Sequence, residues 1–214
     1  MKVGILGSGE VGQALGDGFV SRGHEVKLGA REAANEKTTK WAAKHGAKAS
    51  AGTFRDAAAF GEIVVVATLW TGTESALRLA GIENFKGKVV FDVTNPLLFE
   101  PNQPPKLALG HTDSGGEQVQ RWLPGARVVK VFNIVGNKHM VDPKFPGGPP
   151  TMFLCGNDPS ARAAAADVCK AFGWETVDLG GIEGARLLEP LCILWVQYGA
   201  ATGTWNHAFK LLRK

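Results

Sequence analysis

The run Gly7-Ser8-Gly9-Glu10-Val11-Gly12 constrains this chain more than any other segment. It reads G-x-G-x-x-G, leaving an apolar, β-branched stretch at residues 3–6 and opening an amphipathic one at 11–22. Between a strand and a helix, the three glycines do different things. Gly7 makes the tight turn, Gly9 lets a pyrophosphate approach the backbone, and Gly12 lets helix and strand pack closely. The free amides and positive end of the helix then face the phosphates. Strand, turn and helix in this order begin a βαβ unit, which predicts an α/β fold on a parallel sheet.

The alternation continues along the chain. Strands are expected at 25–28, 47–49 (weak), 63–67, 89–92, 128–132, 151–155 and 176–179, and helices at 37–44, 54–60, 73–80, 116–123 and 160–172, with more helix after 184. The runs 63–67 and 128–132 read as strands buried on both faces. Gly23, Gly46, Gly61 and Gly81 stand where the first four helices should stop. Residues 100–105 read as a loop and 142–150, with four prolines, as a linker. These features predict a doubly wound, mostly parallel sheet in a cofactor-binding domain at 1–140. An extension at 141–214 continues the sheet with further strands and adds a small helical part as a lid.

Composition narrows the function classes. Glycine takes 28 of 214 positions, well above the usual share of about 7%, with no collagen-like period, so the excess serves local turns and close approaches. The net charge of +4 comes from 24 basic and 20 acidic residues scattered along the chain, which is a poor nucleic-acid footprint. Cys155, Cys169 and Cys192 are odd in number and widely spaced, suggesting reduced thiols and neither a disulfide framework nor a metal site. The strand starting at Lys2 leaves no room for a leader, and the apolar stretch 187–195 is too short to span a bilayer. A cytoplasmic protein with no membrane partner is expected.

The second strand selects the dinucleotide. A chain built for NAD places an acid there to hold the ribose 2′-OH, whereas this one reads Leu28-Gly29-Ala30-Arg31. Gly29 leaves room, Arg31 offers a planar charged fork to a 2′-phosphate, and Lys37 is a second cation. NADP(H) is therefore preferred over NAD(H). Glu10 departs from the pattern, because a carboxylate beside a pyrophosphate is unfavourable unless it turns to solvent or to ribose.

Ligands of open α/β sheets lie beyond the carboxyl ends of the strands. Three such ends are distinctive: Thr68-Leu69-Trp70, Val93-Thr94-Asn95-Pro96 and Asn133-Ile134-Val135. Asn95 and Asn133 can bond a carboxamide or ribose, or cap a turn. No catalytic acid–base residue emerges. His24 and His45 fall near strand starts, on the wrong side of the sheet. His111 and His139 fall in loops after candidate site strands, and Tyr198 cannot be placed. Neither a YxxxK pair nor an expected helix carrying Lys and Asn four residues apart is present, which favours hydride transfer between two cofactors by proximity and orientation.

Together, residues 4–12, Leu28-Gly29-Ala30-Arg31, residues 92–97, Val129-Lys130-Val131-Phe132-Asn133 and Arg186-Leu187-Leu188-Glu189-Pro190 resemble the F420-dependent NADP oxidoreductase family. The resemblance runs through nearly the whole chain. It implies a Rossmann domain that binds NADP(H), a C-terminal part shaping a pocket for a deazaflavin (coenzyme F420) or a flavin-like acceptor, and a homodimer through the C-terminal helices. It implies that residues from Ser8 to Val11 border the pyrophosphate and Arg31 the 2′-phosphate, while Leu69, Val93 and Val135 line the nicotinamide half. Ala30 stands where the family often has Ser or Thr, and Glu10 where Asn is common. Trp70 and Trp195 could reshape the acceptor pocket. Two other readings are a reductase of a small imine or carbonyl, with His111 or His139 supplying the proton, and a non-catalytic NADP(H) sensor.

Overall fold

Alternation within each strand decides the architecture. In the computed structural model, which describes residues 1–101 and 103–214, the strands are β1 (Lys2–Leu6), β2 (Glu25–Ala30), β3 (Ala49–Thr53), β4 (Ile63–Val66), β5 (Val89–Asp92), β6 (Leu97–Leu98), β7 (Lys106–Leu107), β8 (Arg127–Lys130), β9 (Thr151–Gly156) and β10 (Glu175–Asp178). Eight form one sheet in the order β10-β9-β8-β5-β4-β1-β2-β3. Every pairing in it is parallel except β8 with β9. The helices are α1 (Glu10–Ser21), α2 (Glu36–His45), α3 (Phe54–Phe60), α4 (Trp70–Ala80), α5 (Gly115–Trp122), α6 (Pro159–Ala171) and α7 (Ala185–Thr202).

Successive strand residues feed opposite faces. Val3, Ile5, Val65, Phe91 and Val129 pack with α1, α2 and α6, whereas Leu6, Val64, Val66, Val90 and Val128 pack with α3, α4 and α5. Two cores on one sheet make the fold doubly wound, as expected. The order places a switch point between β1 and β4, where the connections leave toward opposite edges and where such sheets bind ligands.

Several details differ from the sequence reading. The weak strand expected at 47–49 is a 3-10 turn over Gly46–Lys48, and β3 follows it at Ala49–Thr53. This edge strand is small and half-exposed, so pairing with β2 forms it without a β-branched run. The strand expected at 128–132 ends at Lys130, and Phe132 turns the chain out of the sheet at φ 59°. The short ribbon of β6 and β7 was not anticipated; its strands are two residues each and carry no periodic signal. Of the loop expected at 100–105, position 102 lies outside the described residues. Gly61 does not end α3 with a positive φ as Gly46 and Gly81 end their helices; its φ is −74° and it lies against Gly4.

Segment 142–150 leads into β9, which joins the same sheet against β8. No helix among the described residues is long and apolar enough to cross a membrane.

The contact between β1 and α3 gives a stability test. A Cβ on Gly4 would overlap the Ala57 carbonyl, whereas one on Gly72 in α4 would meet nothing within 4 Å. Gly4→Ala should cost at least about 3 kcal/mol in a denaturant titration, while Gly72→Ala should be neutral or stabilising by up to about 1 kcal/mol. Equal effects would contradict this packing.

Candidate functional site

The candidate residues gather along one edge of the sheet, at the carboxyl ends of β1, β2, β4, β5 and β8. The β1–α1 turn is fixed by backbone geometry. Gly7 has φ 138° and its amide donates to the Gly29 carbonyl at 3.0 Å. A Cβ on Gly7 would overlap the Ala67 carbonyl, and one on Gly12 the Gly7 carbonyl. Gly9 is different: a Cβ there would meet nothing within 4 Å, and Gly9 is exposed.

Helix starts along this edge fall into two kinds. Asn35 caps α2 by accepting from the Lys37 and Thr38 amides, Thr53 caps α3, and Ser114 with Glu189 closes α5. The starts of α1 and α4, which flank the switch point, have no side-chain cap. Their first amides have no side-chain acceptor, the arrangement that binds anions at helix starts. The glycine turn therefore fits a pyrophosphate. Glu10 in the first turn of α1 is exposed, as is Arg31, while Ala30 is buried beneath. Lys37 borders a groove of about 310 Å³ with Gln13, Asp17, Lys40, Trp41 and Lys44. Gly29 serves packing and not cofactor clearance, which corrects the sequence reading: a Cβ there would sit 2.8 Å from both the Ala57 methyl and the Thr53 carbonyl.

On the other half of the edge, the Thr68 and Thr73 hydroxyls share a 2.9 Å hydrogen bond that holds the β4–α4 turn. Leu69 beside it is 77% exposed. Trp70 stacks on Trp122, ring centres 5.5 Å apart, and so leans toward α5. Beyond β5 and β8, Asn95 and Asn133 hold each other. The Asn95 amide donates to the Asn133 carbonyl at 2.8 Å, and the Asn133 amide donates to Asn95 Oδ1 at 2.9 Å and to the Leu188 carbonyl at 3.0 Å. Val93 and Val135 are buried on either side.

Beneath this pair lies a cluster that the sequence reading missed. The fully buried Lys130 ammonium lies 2.7 Å from Asp92 Oδ2 and 3.0 Å from Glu189 Oε1, and donates to the Thr94 carbonyl at 2.7 Å. Asp92 Oδ1 accepts from the Thr94 amide and hydroxyl. The two Glu189 oxygens accept from the Gly115 and Gly116 amides, each at 2.9 Å. Burial alone would lower the Lys130 pKa, but Asp92 and Glu189 overturn that and hold it above its ordinary value. The Gly115-Gly116 pair is needed for this contact, since a Cβ on Gly115 would lie 2.9 Å from Glu189 Oε1 and one on Gly116 would lie 3.2 Å from Lys130 Cε. The signal was present as charges inside apolar strands, Asp92 after Val-Val-Phe and Lys130 between valines.

Of the remaining candidates, His139 and Tyr198 have partners of their own. His111 is exposed at φ 58°. His139 bonds Asn206 at 3.2 Å and packs on Phe145. Tyr198 lies edge-on to His207, itself stacked on Trp195. All three cysteines are free and buried, and burial pushes the Cys155 and Cys192 thiols up to about 12. No group of three or more His, Cys, Asp or Glu among the described residues is placed to hold a metal ion. A cavity of about 870 Å³ between β10, α6 and residues 210–213 shares no lining residue with the strand-end site.

Residues 2–96 match the family model described as NADP oxidoreductase coenzyme F420-dependent. The chain is 29% identical over 191 residues to metalloreductase STEAP3 of Rattus norvegicus, covering 89% of this chain but only 36% of that protein. It is 26% identical over 208 residues to the F420-dependent NADP reductase of Methanothermobacter marburgensis, covering 92% and 91% of the two chains. A crystal structure from Arthrobacter sp. FB24, whose own assignment as an F420-dependent NADP reductase is inferred, superposes with a TM-score of 0.93 at 39% identity over the full length of both.

The ion pair joining α5 to α7 yields a pH prediction. Arg186 donates to Glu117 at 2.6 and 2.9 Å and holds its carboxyl below the ordinary 4.5. A carboxyl whose pKa is lowered by folding contributes stability above its unfolded value, and that stability is lost as pH falls through the folded value. Glu117→Gln should therefore lower Tm at pH 7, with the gap to wild type closing as pH drops below about 4.5. A gap that stays constant down to the acid limit of folding would contradict the pairing.

Proposed function

The chain belongs to the coenzyme F420-dependent NADP oxidoreductase family and is an NADP(H)-dependent oxidoreductase, and we propose that it moves hydride between NADPH and a deazaflavin or flavin-like acceptor lying over the ends of β4, β5 and β8. The observation that carries this reading is the uncapped start of α1 at the switch point, with Gly9 open and Arg31 exposed at the end of β2. When bound, NADPH supplies the hydride from its nicotinamide ring. Gly7 to Gly12 hold the pyrophosphate, with the amides of Ser8, Gly9, Glu10 and Val11 facing it. Arg31 and Lys37 take the 2′-phosphate above Ala30. Thr68, Leu69, Trp70, Val93, Asn95, Asn133 and Val135 border the nicotinamide half.

The chemistry of the strand ends supports a conjugated-ring acceptor. Asp92, Lys130 and Glu189 are sealed from solvent and mutually compensated, so none is available to move a proton to substrate. Leu69, Leu98 and Phe99 are exposed in the segments after β4 and β5 and offer an apolar surface. Proximity and orientation of two stacked rings then carry the reaction. We assign residues 1–140 to cofactor binding and 141–214 to the acceptor pocket and the dimer. On α7, Leu187, Leu194 and Tyr198 are exposed at spacings of seven and four, one face of a helix, and a second copy of the chain covers them.

Three outcomes test this reading. NADP⁺ should raise Tm more than NAD⁺, and Arg31→Ala should weaken NADP⁺ about tenfold or more and erase the preference; equal shifts with both nucleotides would refute it. NADPH absorbance should fall with F420 or a flavin as acceptor, and oxidation by none of them would leave a nucleotide-binding protein of another kind. Leu194→Glu should convert a dimer into a monomer in light-scattering chromatography, whereas a monomeric wild type would remove the proposed interface.

A further inference from the structure

The buried cluster lies directly below the residues assigned to the nicotinamide half. Three ionised side chains with 0%, 0% and 1% exposure are a poor device for stability alone, because well-packed apolar residues commonly do as well in such a place. What they supply is fixed geometry. The main chain of Thr94 is held at both ends, its amide by Asp92 and its carbonyl by Lys130. Val93 and Asn95 on either side of Thr94 therefore have little freedom. The same ammonium reaches Glu189, whose neighbour Leu188 accepts from Asn133. Asn133 in turn holds Asn95. One charge thus ties β5, β8 and α7 into a closed ring of contacts around the Asn95–Asn133 pair. The chain leaves β8 at Phe132, buried in a left-handed conformation, a strained turn that the ring holds in place.

We infer that Lys130, with Asp92 and Glu189, is a set of positioning residues for the nicotinamide half of the cofactor, acting through Thr94, Asn95 and Asn133 without touching the ligand. This rests on the cofactor placement proposed above. The set has no part in the adenosine half, which β1 and β2 carry.

The two halves can be read separately with 2′,5′-ADP, which occupies the adenosine half alone, and NADP⁺, which occupies both. Lys130→Met would leave two buried carboxylates facing each other and threatens the fold, so the variants of choice are Glu189→Gln and Asp92→Asn. Each keeps one carboxylate paired with Lys130. By calorimetry, both variants should bind 2′,5′-ADP within twofold of wild type and NADP⁺ about tenfold more weakly. A folded variant that binds both as wild type does, or that loses both in parallel, would overturn the inference. If wild type itself fails to bind 2′,5′-ADP, the cofactor placement falls, and the positioning role falls with it.

Discussion

An ammonium group shut off from solvent at the end of an inner strand must be compensated at once, and the surroundings of Lys130 are arranged around that requirement. Asp92 comes from the neighbouring strand and Glu189 from a helix nearly sixty residues further along. Two carboxylates around one cation leave a residual negative charge, and the start of α5 answers it with the Gly115 and Gly116 amides and its positive end. No side chain fits at those two positions beside Glu189, Lys130, Trp70 and Ala185. The position of α5, the docking of α7 and the course of the chain after β5 all follow from this neutralisation. Removing Lys130 would leave two buried carboxylates without their cation, at a cost of about 3–5 kcal/mol or more.

The other half of the edge follows a complementary logic. Where the protein supplies its own carboxylate, amide or hydroxyl oxygen to a helix start, that start is closed, as at α2, α3 and α5. Where it supplies none, at α1 and α4, the amides face the switch point. The same electrostatics of helix ends therefore builds the scaffold on one side and leaves helix starts without a side-chain cap on the other. Glu10 is the exception, an exposed carboxylate in the first turn of α1.

Much of this was legible from residue order. The glycine turn, the alternation of strands and helices, and the distinctive strand ends depend on local chemistry, and local chemistry shows in sequence. Arg31 could be singled out because an acid was missing where one was due. The cluster could not be read the same way, because Asp92, Lys130 and Glu189 meet only once β5, β8 and α7 are packed. Each charge looked anomalous alone, and no spacing rule links them. β3 was placed a few residues early for a related reason: Ala-Ser-Ala-Gly-Thr has no strand signal of its own and is drawn into the sheet by β2. Gly29 shows the reverse error, a glycine read as clearance for a ligand when α3 is what it admits.

A crystal structure with NADP⁺ bound tests the central claim most directly. The account predicts the pyrophosphate on the amides at the start of α1, the 2′-phosphate on Arg31, and the nicotinamide against Val93 and Asn95 with the Lys130 cluster unmoved beneath it. A nicotinamide bound away from the ends of β5 and β8, or a cluster that opens when the cofactor binds, would contradict it.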